Sequence, residues 1–149
     1  MPIEFINADL EIASSEDLEP IRAFFAQYGN RLSEMYCGST DPVSYLASFE
    51  VHSDEDRDDQ TAEEKIGAFC DSISELQGLA REVWEHATRR VIDLGYLADD
   101  LCSPFNDRLS VDTLRRMEEL GLELALTIYP QRIRSQHKPC EATGENAAS

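Results

Sequence analysis

Residues 44–52 alternate between apolar and polar side chains, with Leu46 as the exception in the polar phase, and no other segment constrains the fold as strongly. Successive side chains of a strand point to opposite faces of a sheet, so this alternation predicts a strand with one buried face. One face of the strand carries Tyr45, Ala47, Phe49 and Val51, and the other carries Leu46, Ser48, Glu50 and His52. The segment therefore predicts a sheet that the rest of the chain covers on one side.

The other apolar patterns predict further strands and helices on both sides of this segment. Strands are predicted over residues 3–12, 89–97 and 122–129. Helices are predicted over residues 18–28 and 62–86, and a short third helix is expected between Ser110 and Gly121. The spacing of Thr61 and Glu64 is typical of a capping box at the start of the longest helix.

The order of these elements predicts an α+β fold. Residues 30–43 show no clear pattern and are left unassigned, with Gly38, Asp41 and Pro42 marking a turn or loop. The remaining order is β-α-β-α-β-α-β, which predicts about four strands in one sheet with three helices packed mainly on one face. Residues 1–130 are expected to form a single domain. Residues 131–149 are polar, and we expect this tail to be disordered.

The charge of the chain restricts its partners. The 149 residues include 13 basic and 30 acidic side chains, which give a net charge of −17. Binding to nucleic acid or to an anionic membrane requires a basic surface, so neither is expected here. An acidic surface keeps a protein soluble and attracts basic proteins. The charge therefore predicts either a solubility function or a basic protein partner.

The cysteines and the beginning of the sequence indicate the compartment. The four cysteines, Cys37, Cys70, Cys102 and Cys140, form no closely spaced pair, so neither a zinc site nor a disulfide framework is predicted. Residues 1–12 contain three acidic and no basic residues, which is not typical of a signal peptide. No apolar run has the length of a membrane span. The sequence therefore predicts a cytoplasmic protein.

Residues 109–130 carry a short helical pattern, a Leu-Gly pair and a strand with an aromatic end. The positions that define this pattern are Leu114, Leu120, Gly121, Ile128 and Tyr129. The stretch resembles the closing segment of a bacterial domain-of-unknown-function family, the four-two-seven-nine type, and the resemblance extends over residues 1–130. The tryptophan often found before the acidic loop of that family is absent here. The resemblance implies a small α/β fold and transfers no catalytic residue.

An acidic run between the second strand and the long helix is the first candidate site. It consists of Asp54, Glu55, Asp56, Asp58 and Asp59, interrupted by Arg57. The spacing of its first aspartates opens a calcium loop, but glycine and glutamate are missing from the sixth and twelfth positions. Carboxylates before a helix also stabilise the helix dipole without any ligand. We therefore predict no metal here and no cofactor elsewhere, since the sequence has no phosphate-binding or nucleophile motif.

The sequence leaves three functions open. The first is a binding module, such as an immunity or inhibitor protein, which contacts a basic partner through the acidic run together with Tyr36 and Tyr45. The second is a divalent-metal enzyme that uses His52 and residues 54–59. The third is a homo-oligomeric structural domain, with a homodimer formed through a sheet edge or the long helix. We favour the binding module, with no catalytic residue assigned.

Overall fold

The computed structural model describes residues 3–27, 31–51, 60–98 and 104–130. Five strands and four helices are present in these ranges. The strands are β1 (Glu4–Ser14), β2 (Leu32–Asp41), β3 (Ser44–Val51), β4 (Arg89–Leu97) and β5 (Glu123–Tyr129). The helices are α1 (Glu19–Gln27), α2 (Ala62–Ser74), α3 (Gly78–His86) and α4 (Val111–Glu119). The α+β class predicted from the sequence is confirmed, with one more strand and one more helix than expected.

The strands form one mixed sheet in the order β2-β3-β1-β4-β5. Strand β1 lies in the centre and pairs antiparallel with both β3 and β4. Strand β5 pairs parallel with β4, and α4 lies in the connection between them. A parallel pair needs such a crossover connection, whereas the antiparallel strands β2 and β3 are joined by a short turn.

One face of the sheet, the core face, carries the hydrophobic core. Its central side chains are Leu10 and Ile12 of β1, Phe49 of β3 and Ile92 of β4, all with at most 1% of their surface exposed. The buried side chains of α1, α2 and α3 belong to the same cluster. Helices α1, α2 and α3 therefore cover the part of this face that β3, β1 and β4 form, and the alternate side chains point to the opposite face, the open face.

The single helix expected over residues 62–86 is wrong, because two helices occupy this range. Helix α2 ends at Ser74, and α3 begins at Gly78. Gly78 has φ of +60°, which a right-handed helix does not accommodate. Leu76 lies between the helices and is buried, so the break turns an apolar side chain into the core.

Residues 30–43, which the sequence analysis leaves unassigned apart from a turn or loop, mostly form strand β2. Its backbone pairs with β3 from Leu32 to Asp41, with register shifts after Glu34 and after Ser39. The bulges disturb the alternation of side chains, which explains why the sequence pattern does not show a strand. The turn itself is limited to the residues after Asp41, whose Oδ1 accepts a hydrogen bond from the Val43 N–H at 2.9 Å.

The predicted helix starts at Thr61 and Ser110 are confirmed. The Thr61 side chain accepts a hydrogen bond from the Glu64 N–H, and Ser110 accepts one from the Thr113 N–H. Both caps satisfy backbone donors that the first turn of a helix leaves without partners. The Glu63 carboxylate accepts hydrogen bonds from the Ser110 N–H and the Thr113 hydroxyl, and this ties the start of α4 to α2.

The end of α4 is fixed by Trp84 and Arg90. The Trp84 Nε1–H donates to the Leu120 carbonyl at 3.2 Å, and the Arg90 Nε–H donates to the Gly121 carbonyl at 3.2 Å. Gly121 has φ of +70°, and a Cβ atom there would lie 2.8 Å from Nη2 of Arg90. Gly121 is therefore required both by its backbone conformation and by the packing of Arg90.

Replacing Gly121 with alanine is expected to lower the free energy of unfolding by about 1–2 kcal/mol, the usual cost of a left-handed non-glycine residue. The matched variant is Gly67→Ala, because Gly67 lies inside α2 and a Cβ atom there would meet nothing within 4 Å. Gly67→Ala is expected to raise stability by about 0.5–1 kcal/mol through helix propensity. Urea unfolding of both variants measures the difference, and equal effects would contradict the role of Gly121.

Candidate functional site

The open face of the sheet is strongly acidic. The strand register places six carboxylates on it: Glu4, Asp9, Glu11, Glu50, Asp93 and Glu123. Arg89, at the start of β4, is the basic side chain that the described strands add to this face. The face therefore carries a large excess of negative charge on four adjacent strands.

Three of these carboxylates form a row across the centre of the sheet. Asp9 of β1 lies directly opposite Glu50 of β3 on one side and Asp93 of β4 on the other. Directly opposed side chains of neighbouring antiparallel strands have Cβ atoms about 4.5–5.5 Å apart, and like charges at this spacing destabilise the sheet. We refer to Glu50, Asp9 and Asp93 as the carboxylate row.

Asp9 is the most perturbed member of the carboxylate row. Its Oδ1 atom is shielded from solvent and has no hydrogen-bond partner among the described residues. Burial is the main cause that raises the pKa of Asp9 to about 7, followed by a hydrogen bond with the Glu50 carboxyl and by the charges of Glu50, Asp93 and Glu11. Asp9 therefore gains or loses its proton near neutral pH.

Asp93 is held in place by the neighbouring parallel strand. The Thr127 hydroxyl of β5 lies 2.7 Å and 2.8 Å from the two carboxylate oxygens of Asp93 and donates its one proton to them. This contact orients the carboxylate without neutralising its charge. No described residue forms a salt bridge with any member of the carboxylate row.

Exposed aromatic side chains lie at both margins of the open face. Tyr36 of β2 is 45% exposed, lies opposite Ser48 of β3, and its ring packs beside Gly38. Tyr129 of β5 is 42% exposed and packs over Gly95 of β4. The carboxylate row thus lies between two exposed tyrosines, a residue type that is enriched in protein interfaces.

The structure separates the residues that the sequence analysis grouped together. Tyr36 is exposed as predicted, but Tyr45 is half-buried and packs against the core, because it lies on the core face of β3. The contact role predicted for Tyr45 is therefore not supported by its position. Residues 54–59 and His52 lie outside the described residues, so both the acidic-loop interface and the metal-enzyme alternative remain untested predictions.

Sequence reasoning missed the carboxylate row. Each of its members lies at a position of its strand that alternates with the buried residues, and charged residues are common at such positions. Only the register brings Glu50, Asp9 and Asp93 side by side, and register is a property of the tertiary structure. A weaker signal was available, because the Asp9 and Glu11 alternation places two carboxylates on one face of a strand.

The described cysteines are poorly suited to nucleophilic chemistry. Burial raises the pKa of Cys70, which lies in the core, and it is also the main cause of the raised pKa of Cys37. A raised pKa lowers the thiolate fraction at neutral pH. Across the described ranges, no three or more histidine, cysteine or acidic side chains are arranged to hold a metal ion.

Replacing Asp9 with asparagine is expected to change how stability depends on pH. The folded pKa of Asp9, about 7, lies above its ordinary value of 3.8, so its favourable contribution is complete below pH 4 and is lost as pH rises through 7. At pH 8 we expect Asp9→Asn to raise the free energy of unfolding by about 1–2 kcal/mol, allowing for solvent screening. This advantage should shrink towards pH 4.

Urea unfolding from pH 4 to pH 8 measures this effect. Glu118→Gln is the control, because Glu118 is an exposed carboxylate on α4, away from the open face. Its stability curve should run parallel to that of the unmodified chain. A pH-independent difference between Asp9→Asn and the unmodified chain would contradict the raised pKa.

Comparison with known proteins gives no match. No family model, no curated protein and no solved structure matches this chain. The resemblance of residues 109–130 to a bacterial family of unknown function therefore remains a prediction. Among the described residues, no helix has the length and apolar character needed to cross a membrane.

Proposed function

We propose that this protein is a binding protein for a basic protein partner, in the manner of an immunity or inhibitor protein, and that the open face is its contact surface. The observation that carries the proposal is the carboxylate row, three aligned acidic side chains without a basic partner among the described residues. A lysine or arginine from a partner would supply the missing positive charge.

The environment of Asp9 lowers the stability of the isolated protein, and this supports the proposal. A shielded carboxylate oxygen without a hydrogen-bond donor destabilises the fold, and the opposed Glu50 and Asp93 add repulsion. Functional surfaces often carry such unfavourable groups, because the interactions that compensate them form only in the complex. A guanidinium or ammonium group placed over the row would donate hydrogen bonds to these oxygens.

The margins of the open face would add affinity to this electrostatic attraction. Tyr36 and Tyr129 are exposed aromatic side chains on opposite sides of the row, and aromatic residues often contribute much of the binding energy of an interface. Opposite charges mainly increase the association rate and select the partner. The arrangement therefore fits a partner that has basic side chains at the centre of its interface and apolar groups around them.

The test is capture from cells of the native organism, with the purified chain immobilised at low and at moderate salt and the captured proteins identified by mass spectrometry. We expect a basic protein at near-stoichiometric level whose recovery falls as salt rises, because salt screens the attraction. The variant Asp9→Asn, Glu50→Gln, Asp93→Asn should lose most of this recovery.

The matched control changes the same number of charges elsewhere. Glu82, Glu118 and Glu119 are exposed carboxylates on α3 and α4, and their replacement by glutamine should leave recovery unchanged. Equal losses in both triple variants would show that only net charge matters and would contradict a specific open-face site. Loss of folding does not explain a binding defect here, because neutralising the row should stabilise the chain.

A further inference from the structure

Strand β5 carries an exposed apolar surface on the core face of the sheet. Leu124, Leu126 and Ile128 lie beside Ile92, Leu94 and Tyr96 of β4 in the parallel register. The three β4 side chains are almost fully buried, whereas the β5 side chains are 43%, 62% and 63% exposed. The hydrophobic layer that covers β4 therefore stops before it reaches β5.

The crossover helix α4 leaves β5 uncovered because it is anchored elsewhere. Thr113 and Arg116 of α4 bind Glu63 and Asp71 of α2, with the Arg116 Nη2–H donating to the Asp71 carboxylate at 2.6 Å. A groove of about 290 Å³ remains beside the strand. Its apolar lining consists of Ile3, Leu94, Tyr96, Phe105, Leu109 and the three exposed side chains of β5.

The two edges of the sheet differ in their protection against strand pairing. Strand β2 is interrupted by two register shifts and carries Glu34, which forms a salt bridge with Arg22 of α1. Bulges and charges of this kind prevent an edge strand from pairing with another chain. Strand β5 has no register shift with β4 and only one charged residue, Glu123, at its beginning. Within the described residues, no segment pairs with its outer edge.

We propose that the outer edge of β5 pairs with β5 of a second copy of this chain, antiparallel and with a two-fold axis at Leu126. The Ala98 N–H donates to the Tyr129 carbonyl at 2.8 Å, so the odd-numbered residues of β5 direct their backbone groups towards β4. The backbone groups of Leu124, Leu126 and Ile128 therefore point outwards. In the proposed register they form hydrogen bonds with Ile128, Leu126 and Leu124 of the second copy.

Among the possible homodimer contacts, the distribution of charge is most compatible with this edge and this register. Two chains that each carry a net charge of −17 repel each other, so a homodimer must use a surface with few carboxylates. An axis at Leu126 places Glu123 opposite Tyr129 of the second copy rather than opposite another glutamate. The two ionic side chains in the groove lining, Asp107 and Arg108, carry opposite charges.

The exposed apolar area on this edge is somewhat smaller than the apolar part of a standard interface. The partly exposed side chains of β5, with Phe105 and the other groove residues, present on the order of 300–400 Å² of apolar surface. A standard interface buries roughly 800 Å² per partner, of which somewhat more than half is apolar. The strand backbone and the polar rim of the groove supply the remainder. In the resulting ten-stranded sheet, the exposed apolar side chains of β5 from both copies would lie on the same face and contact each other.

The first experiment measures the molar mass of the full chain by light scattering and sedimentation over a concentration series. We expect a monomer–dimer equilibrium that shifts towards the dimer as salt rises, because salt screens the repulsion between the acidic chains. This salt dependence is opposite to that expected for binding of a basic partner. A failure of the dimer proposal can therefore be distinguished from a failure of the proposed function. A monomer at every concentration and salt level would overturn the dimer.

Two variants locate the contact. Leu126→Lys introduces a charge at the centre of the exposed edge and should abolish the dimer. Met35→Lys introduces the same charge on β2, where Met35 is 58% exposed, and should leave the dimer intact. A dimer that survives Leu126→Lys, or that is lost in both variants, would overturn the β5 edge as the interface. Capture of a different protein on this edge in place of a second copy would overturn it as well.

Oxidative cross-linking tests the register. In a chain with Cys37, Cys102 and Cys140 replaced, Leu126→Cys should form an intermolecular disulfide, because paired residues at the axis have Cα atoms about 5.5 Å apart. Ala125→Cys should not form one, since position 125 pairs with Thr127 of the second copy. A cross-link at 125 rather than 126, or none in a chain that still dimerises, would overturn the axis at Leu126.

Discussion

The pairing of strand β1 on both sides is the interaction on which the rest of the structure depends. Leu10 and Ile12 lie at the centre of the core, between Phe49 and Ala47 of β3 on one side and residues of β4 on the other. A shift of one residue would turn these side chains to solvent and carry Asp9 into the core. The apolar face of β1 therefore fixes the register, and the register assembles the carboxylate row on the opposite face.

This coupling explains why the fold tolerates an unfavourable surface. The free energy gained by burying the apolar side chains of β1, β3 and β4 is large, since each fully buried aliphatic side chain contributes about 1.5–3 kcal/mol. The repulsion within the carboxylate row and the shielded oxygen of Asp9 offset only a part of this free energy. The two faces cannot be separated, because the same strands that bury Leu10 must present Asp9. A surface of aligned carboxylates is thus stable as long as the core behind it is intact.

The sequence predicted those elements in which local pattern and tertiary packing agree. Strand β4 was predicted with the observed bounds, and the burial of Ala47, Phe49 and Val51 was predicted from alternation alone. Strand β2 was missed because backbone pairing with β3, rather than a buried face, holds it in place. The carboxylate row was missed for a related reason, since neighbours across a sheet are distant in sequence.

For strand β5, the sequence pattern predicts the strand and its apolar face correctly, but it does not predict that this face is exposed. The alternation of Leu124, Leu126 and Ile128 places them on one face, as the sequence predicted, but α4 turns towards α2 and leaves this face exposed. The periodicity of apolar residues shows which side chains share a face, but it does not show which element packs against that face. The exposed apolar face of β5 is the observation on which the proposed contact with a second copy rests. The sheet therefore presents two surfaces of different character, an acidic face proposed to bind a basic partner and an apolar edge proposed to pair with a second copy. Because charge would drive the first proposed contact and oppose the second, the two would respond in opposite directions to ionic strength.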